Sequence, residues 1–138
     1  MKRFDVVEHT ADAGIVAYGA DMGEAFANAA YGMFSLMADL EQVGEETSCH
    51  VEVEARDREG LVVAWLNELL YLFDVERIIF RRFDIMDITD TRLAADACGE
   101  PADVSRHRLK SGVKAATYHM LLISEGGGGC SIRVIFDV

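Results

Sequence analysis

Apolar positions along the chain follow two rhythms. After Asp21-Met22-Gly23-Glu24, the residues Phe26, Ala29, Ala30, Met33, Phe34 and Met37 recur at intervals of three and four, which stacks their side chains on one face of an α-helix. Asp21 with Glu24 three positions later is the capping-box arrangement, an acceptor for the first free backbone N–H groups of that helix. A second helix is expected from near Asp57 to about Asp74. Leu61, Trp65, Leu69, Leu72 and Phe73 lie along one face, Leu66 and Leu70 widen it, and Asn67 and Glu68 interrupt it. The other rhythm has a period of two. Val51, Val53 and Ala55 alternate with His50, Glu52 and Glu54, and Leu93, Ala95 and Ala97 alternate with Ala94, Asp96 and Cys98, as in strands with one buried face. Residues 4–7 and 15–18 read as strands, and another begins at Phe83 and Ile85. A long β-rich run covers residues 113–124. It puts Lys114, Ala116, Tyr118 and Met120 on one face, and His119 on the other as a satisfied core histidine. The chain closes with Ile132, Val134, Phe136 and Val138 opposite Arg133, Ile135 and Asp137. Glycines at 126–129 mark a hairpin loop between two such runs. Helices cluster in the first half and strands in the second, without βαβ alternation. The expected class is α+β, a mostly antiparallel β-sheet with two main helices packed against it.

Length and composition bound this picture. A chain of 138 residues is of single-domain size, so residues 1–138 are read as one domain, able to bury a core without disulfides or metal. Hydrophobic residues make up 51% of it, too many for a disordered protein. Net charge is −11, which disfavours direct, sequence-blind binding of RNA or DNA because phosphate contacts supply most of that affinity. A basic partner or a bound cation fits better. No run approaches the ~20 apolar residues of a membrane span, and no signal-peptide pattern follows Met1. Cys49, Cys98 and Cys130 form no CxxC pair, so reduced thiols and a cytoplasmic location are expected.

Three places hold candidate chemistry. The turn His9-Thr10-Ala11-Asp12-Ala13-Gly14 joins the first two strands. An Asp there commonly bonds its own backbone, with Gly14 supplying an unusual torsion. The functional reading needs Asp12 to meet other oxygen ligands, since hard divalent cations take several. At the chain end the Asp137 side chain and the terminal carboxylate of Val138 are one residue apart. Two fixed anions repel unless a cation or a basic group lies between them; with Asp12 they make three negative groups, enough for one divalent ion. The third place is the basic and aromatic set Arg106, His107, Arg108, Lys110, Lys114, Tyr118 and His119. Residues 106–110 read as a solvated loop, and Lys114 as a bridge between acids or a contact to a partner's phosphate-bearing ligand. The chain has no GxxxxGK[ST], GxSxG or HExxH, and so no phosphate loop or common hydrolase signature.

The set also resembles the archease family over essentially the whole chain. The matching pieces are His9-Thr10-Ala11-Asp12-Ala13-Gly14, Glu24-Ala25-Phe26, Ala30-Tyr31-Gly32-Met33-Phe34, Trp65-Leu66-Asn67-Glu68-Leu69-Leu70-Tyr71, Gly99-Glu100, Val113-Lys114-Ala115-Ala116-Thr117-Tyr118-His119 and Phe136-Asp137-Val138. The resemblance implies a small cytoplasmic protein cofactor of the RtcB-type tRNA-splicing ligase, promoting guanylylation and multiple turnover of an enzyme that uses GTP and a divalent metal. It implies a metal site of Asp12, Asp137 and Val138, for calcium foremost and magnesium or manganese otherwise. The family's strand-motif lysine falls on Lys114, and its first-motif histidine on His9, in a structural or metal-ligand-supporting role. The ligase is the expected partner, with RNA met only through it and no membrane involved. Two other classes stand beside this one: a stand-alone metal-dependent phosphoester hydrolase, since carboxylate-held metals activate water, and a general chaperone, since Met-rich helices can present adaptable apolar surface.

Overall fold

Helices and strands form where the two rhythms place them, and they pack as two antiparallel sheets around two helices. In this computed structural model, residues 2–8, 13–110 and 112–138 are described. The order is β1 (Phe4–Glu8), β2 (Ala13–Gly19), α1 (Met22–Ser35), a 3-10 turn (Leu40–Gln42), β3 (Thr47–Glu54), α2 (Arg58–Glu76), β4 (Ile78–Ile88), β5 (Arg92–Pro101), β6 (Ala115–Ala116), β7 (Leu122–Gly126) and β8 (Gly129–Asp137). One sheet runs β1-β2-β8-β6 with β7 also on β8; the other runs β3-β5-β4. The strands therefore divide into two sheets, and β4 starts five residues before Phe83.

Both helix starts carry the caps expected of them. The Asp21 side chain accepts from Glu24 N–H at 2.8 Å, and Glu24 accepts in return from Ala20 N–H. Asp57 accepts from Gly60 N–H at 2.7 Å. Such caps contribute about 1 kcal/mol each. Phe26, Ala29, Ala30, Met33 and Phe34 of α1 and Leu61, Trp65, Leu66 and Leu69 of α2 are fully buried with Ile15, Ala17, Ile132, Val134 and Phe136 from the larger sheet. Val51, Ile79, Phe83, Leu93, Ala95 and Ala97 close the core from the smaller one. Trp65 ties the helices together: its indole N–H donates to Phe26 O at 3.0 Å, so the polar edge of this buried ring is satisfied.

Three expectations change. The run over residues 113–124 is not one strand. β2 takes one edge of β8, and β6 and β7 share the other, with residues 117–121 looping out between them. Thr117 uses both its N–H and its hydroxyl on Ile135 O, Leu121 N–H turns back to Tyr118 O, and Met120 adopts a left-handed φ of 54°. Tyr118 and Met120 are consequently exposed, and His119 is an exposed residue whose N–H donates to Thr117 Oγ1, not a core histidine.

Residues 106–110 are not a uniformly solvated loop either, because His107 is wholly buried. Its Nδ1 accepts from Asp103 N–H at 3.0 Å, which leaves the ring proton on Nε2, 2.6 Å from the Glu100 carboxylate. Glu100 is 2% exposed and also meets Arg106 at 3.3 Å. The Gly44 backbone N–H, then His107, hold its carboxyl below the usual range. This pair staples the loop to the segment after α1, where Asp39 N–H donates to His107 O.

Gly14 is the third case. The positive-φ glycines among the described residues are Gly126, Gly127 and Gly128, which form the expected β7–β8 hairpin. At Gly14 the constraint is space: a Cβ would lie 2.7 Å from Ile135 Cδ1 and 3.1 Å from Val134 O.

Candidate functional site

The antiparallel pairing of β2 with β8 runs from Gly19 opposite Cys130 to Ala13 opposite Phe136. Ala13 is the described residue to which Asp12 is bonded, and Phe136 is bonded to Asp137. On the far edge of β8, Ala115 and Ala116 pair with Asp137 and Phe136, and Lys114 N–H donates to Asp137 O at 2.8 Å. On the outer side of β2, Glu8 pairs with Ala13. Four chain segments thus end together at one end of the larger sheet. Of the residues expected there, Asp137, Val138 and Lys114 are brought together, while His9 and Asp12 lie outside the described residues.

Asp137 combines an exposed side chain with a fixed backbone. Phe136 before it is fully buried, and β8 is paired on both edges up to this point. Among the described residues neither the Asp137 carboxylate nor the Lys114 ammonium has an ion-pair partner. Val138 is half exposed. These oxygen donors suit a hard divalent cation, which prefers carboxylate and carbonyl ligands to nitrogen or sulfur. Among the described residues no cluster of three or more His, Cys, Asp or Glu side chains could hold a metal.

A residue outside the expected set secures this end. Asn67 of α2 accepts from Ala116 N–H at 2.8 Å through Oδ1, and its amide donates to Ala116 O at 3.4 Å. The signal was the polar interruption in an otherwise apolar helix face, flanked here by buried Trp65, Leu66, Leu69 and Leu70.

The rest of the basic set does not converge on the site. Arg106 and His107 serve Glu100, Arg108 takes a left-handed φ of 52°, and Lys110 N–H donates to Met37 O. Another charged group lies on the solvent face of the smaller sheet. There His50 bridges Asp96 at 2.9 Å and Glu52 at 3.1 Å, and Arg92 meets Glu52 at 2.8 Å. Asp96 first, then Glu52, raises the His50 pKa. Cys49, Cys98 and Cys130 are all free thiols, and no described helix is long and apolar enough to cross a membrane.

The model of the Archease protein family (MTH1598/TM1083) matches residues 4–138. Protein archease of Methanosarcina mazei is 37% identical over 141 residues, covering 99% of this chain and 97% of that protein. Protein archease of Methanothermobacter thermautotrophicus is 40% identical with full coverage of both. Among solved structures, Methanobacterium thermoautotrophicum protein 1598 superposes with a TM-score of 0.86 at 39% identity over all of both chains. A Thermotoga maritima protein described as an archease, possible chaperone, has a TM-score of 0.67 at 17% identity, covering 96% of this chain and 94% of that one, and so shares the fold.

Proposed function

This chain belongs to the archease family, and from that premise we propose that it is a protein cofactor of an RtcB-type RNA ligase in the cytoplasm. It promotes GTP-dependent guanylylation of that ligase and its multiple turnover in tRNA splicing or RNA repair, and is not itself an enzyme. The carboxylates of Asp12, Asp137 and Val138 hold one divalent cation, calcium foremost and magnesium or manganese otherwise. The observation that carries this reading is the strand pairing that ends at Ala13 and Phe136, which leaves an acid adjoining each partner. A bound cation supplies positive charge to an acidic surface that then meets a partner's phosphate-bearing site.

The chain's own residues do the rest. Buried Phe136 and the Lys114 N–H fix the Asp137 backbone from which its exposed carboxylate projects. Lys114, whose backbone N–H holds Asp137 O, offers an exposed ammonium with no ion-pair partner among the described residues, suited to an anionic group of the partner. His9 has a structural role or one supporting the metal ligands. A net charge of −11 keeps RNA contact indirect, through the ligase. Activation itself needs only that this protein bind one ligase state better than the others.

Ligation with limiting ligase tests the reading. A second GTP-dependent turnover appears only when this protein is added, and Asp137→Ala abolishes it while leaving the thermal midpoint near that of the unmodified chain. Stimulation by Asp137→Ala at ordinary concentrations removes the metal role; absence of any stimulation by the unmodified protein removes the activator role. A general chaperone is the second reading, favoured by the description of the Thermotoga maritima protein as a possible chaperone. Met33 and Met37 are buried here, so client binding would have to use a surface other than these two methionines.

A further inference from the structure

We infer that Asn67 is a positioning residue for the acidic end of β8, acting through β6; this rests on the cation-binding role proposed above. β6 is only two residues long, too short to hold its place by its own ladder. One of its edges is paired with β8. On the other, Ala116 would show a bare N–H and C=O, and both are taken by the single amide of Asn67, at 2.8 and 3.4 Å. The side chain thus acts as a neighbouring strand one residue long. Asparagine is suited to this because its short arm carries an acceptor and donors in one plane.

The arm is anchored to something rigid. Asn67 projects from α2 between Trp65 and Leu66 on one side and Leu69 and Leu70 on the other, all buried. Position is therefore transmitted from the core through Asn67 to Ala116, and from there by two steps of chain to Lys114. The Lys114 N–H holds Asp137 O at 2.8 Å. Thr117 holds the other end of the same strand on Ile135 O. Releasing Asn67 frees the edge that sets both the exposed lysine and the backbone of the exposed acid.

The test uses Asn67→Leu, which keeps the volume of the side chain and removes both hydrogen bonds, with calcium ion alone as the probe. Isothermal titration calorimetry is run on the unmodified chain, Asn67→Leu and Asp137→Ala, at a temperature where all three are folded. Residues bonded directly to a metal ligand typically influence affinity by about tenfold or more; Asn67 acts more remotely, through Ala116 and Lys114, and a smaller loss of about three- to tenfold is expected for Asn67→Leu. A purely structural asparagine would lower the melting temperature and leave calcium affinity unchanged, and that result overturns the inference. Loss in Asp137→Ala with full affinity in Asn67→Leu overturns the positioning role alone; no calcium binding by the unmodified chain removes the cation reading and this inference with it. A second measurement needs no variant. Because coupling is reciprocal, calcium must slow hydrogen exchange at the Lys114 and Ala116 amides of the unmodified protein, and unchanged exchange there overturns the inference equally.

Discussion

Replacing Glu100 by alanine removes the acceptor at the centre of the buried staple between residues 102–110 and the segment after α1. One donor then loses its partner in the interior, His107 Nε2–H, on a ring with no exposed surface; the Gly44 backbone N–H, which also faces this carboxylate, is only partly buried and can turn to water. The ring cannot escape by changing tautomer, because its Nδ1 is engaged by Asp103 N–H. A buried donor left unsatisfied costs about 1–3 kcal/mol, a large share of the ~5–15 kcal/mol of an ordinary domain. At this chain length that is a fall in melting temperature on the order of 5–10 °C. The assay is chemical and thermal denaturation followed by circular dichroism, with Glu52→Ala as control. Glu52 forms ion pairs on the solvent face of the smaller sheet, and its removal should leave the midpoint within scatter. The pH dependence carries a sign. The folded Glu100 carboxyl is held below its ordinary value near 4.5, so its contribution is complete above that value and disappears as pH falls through the lower folded value. Glu100→Ala should therefore show a smaller acid-side loss than the unmodified chain, the remainder coming from Asp5, Glu52 and Asp103, whose carboxyls are also held low. A stability within about 1 kcal/mol of that of the unmodified protein would refute the reasoning, since it would mean that His107 finds water or another partner.

Two further outcomes follow from the geometry. Gly99→Ala should be at or beyond the ~1–3 kcal/mol of ordinary overpacking, because a Cβ there falls on the Ile79 carbonyl, and a paired backbone cannot yield as a side-chain tip can; soluble yield and urea denaturation check it. In an NMR titration His50 should titrate above its ordinary 6.5, raised by Asp96 and then Glu52, and Asp96→Asn should bring it back toward that value. Its stabilising contribution is complete below 6.5 and is lost as pH rises through the folded value; a midpoint at or below 6.5 in the unmodified chain contradicts the bridged arrangement.

Most of the secondary structure was legible because the rule behind it is local. The apolar stripe of α1, the caps at Asp21 and Asp57 and the alternation of β3 and β5 are consequences of side chains a few positions apart. What was not legible depends on partners far along the chain. Residues 113–124 contain every mark of a strand except Gly112 before them, and the break at 117–121 comes from Thr117 choosing Ile135 O and Met120 tolerating a left-handed torsion without glycine. His107 looked like a member of a basic loop although its partner Glu100, at the end of β5, is only 7 residues away, because no periodic pattern reports a loop that folds back on the strand before it. At the candidate site the acids were conspicuous as residue types, whereas Asn67 showed only as a flaw in an apolar face. Its purpose exists only once β6 lies against α2.

The hairpin joining β7 to β8 offers a practical handle. Its three left-handed glycines meet nothing within 4 Å of an added Cβ, and β8 then runs nine residues to Asp137, about 26 Å at the usual rise of a strand. A fluorophore or tether inserted at that tip would ride on the same strand as the acidic end yet stand well clear of it. Distances from such a label to a label on the ligase proposed as partner would then test whether the two proteins meet and which way round they face.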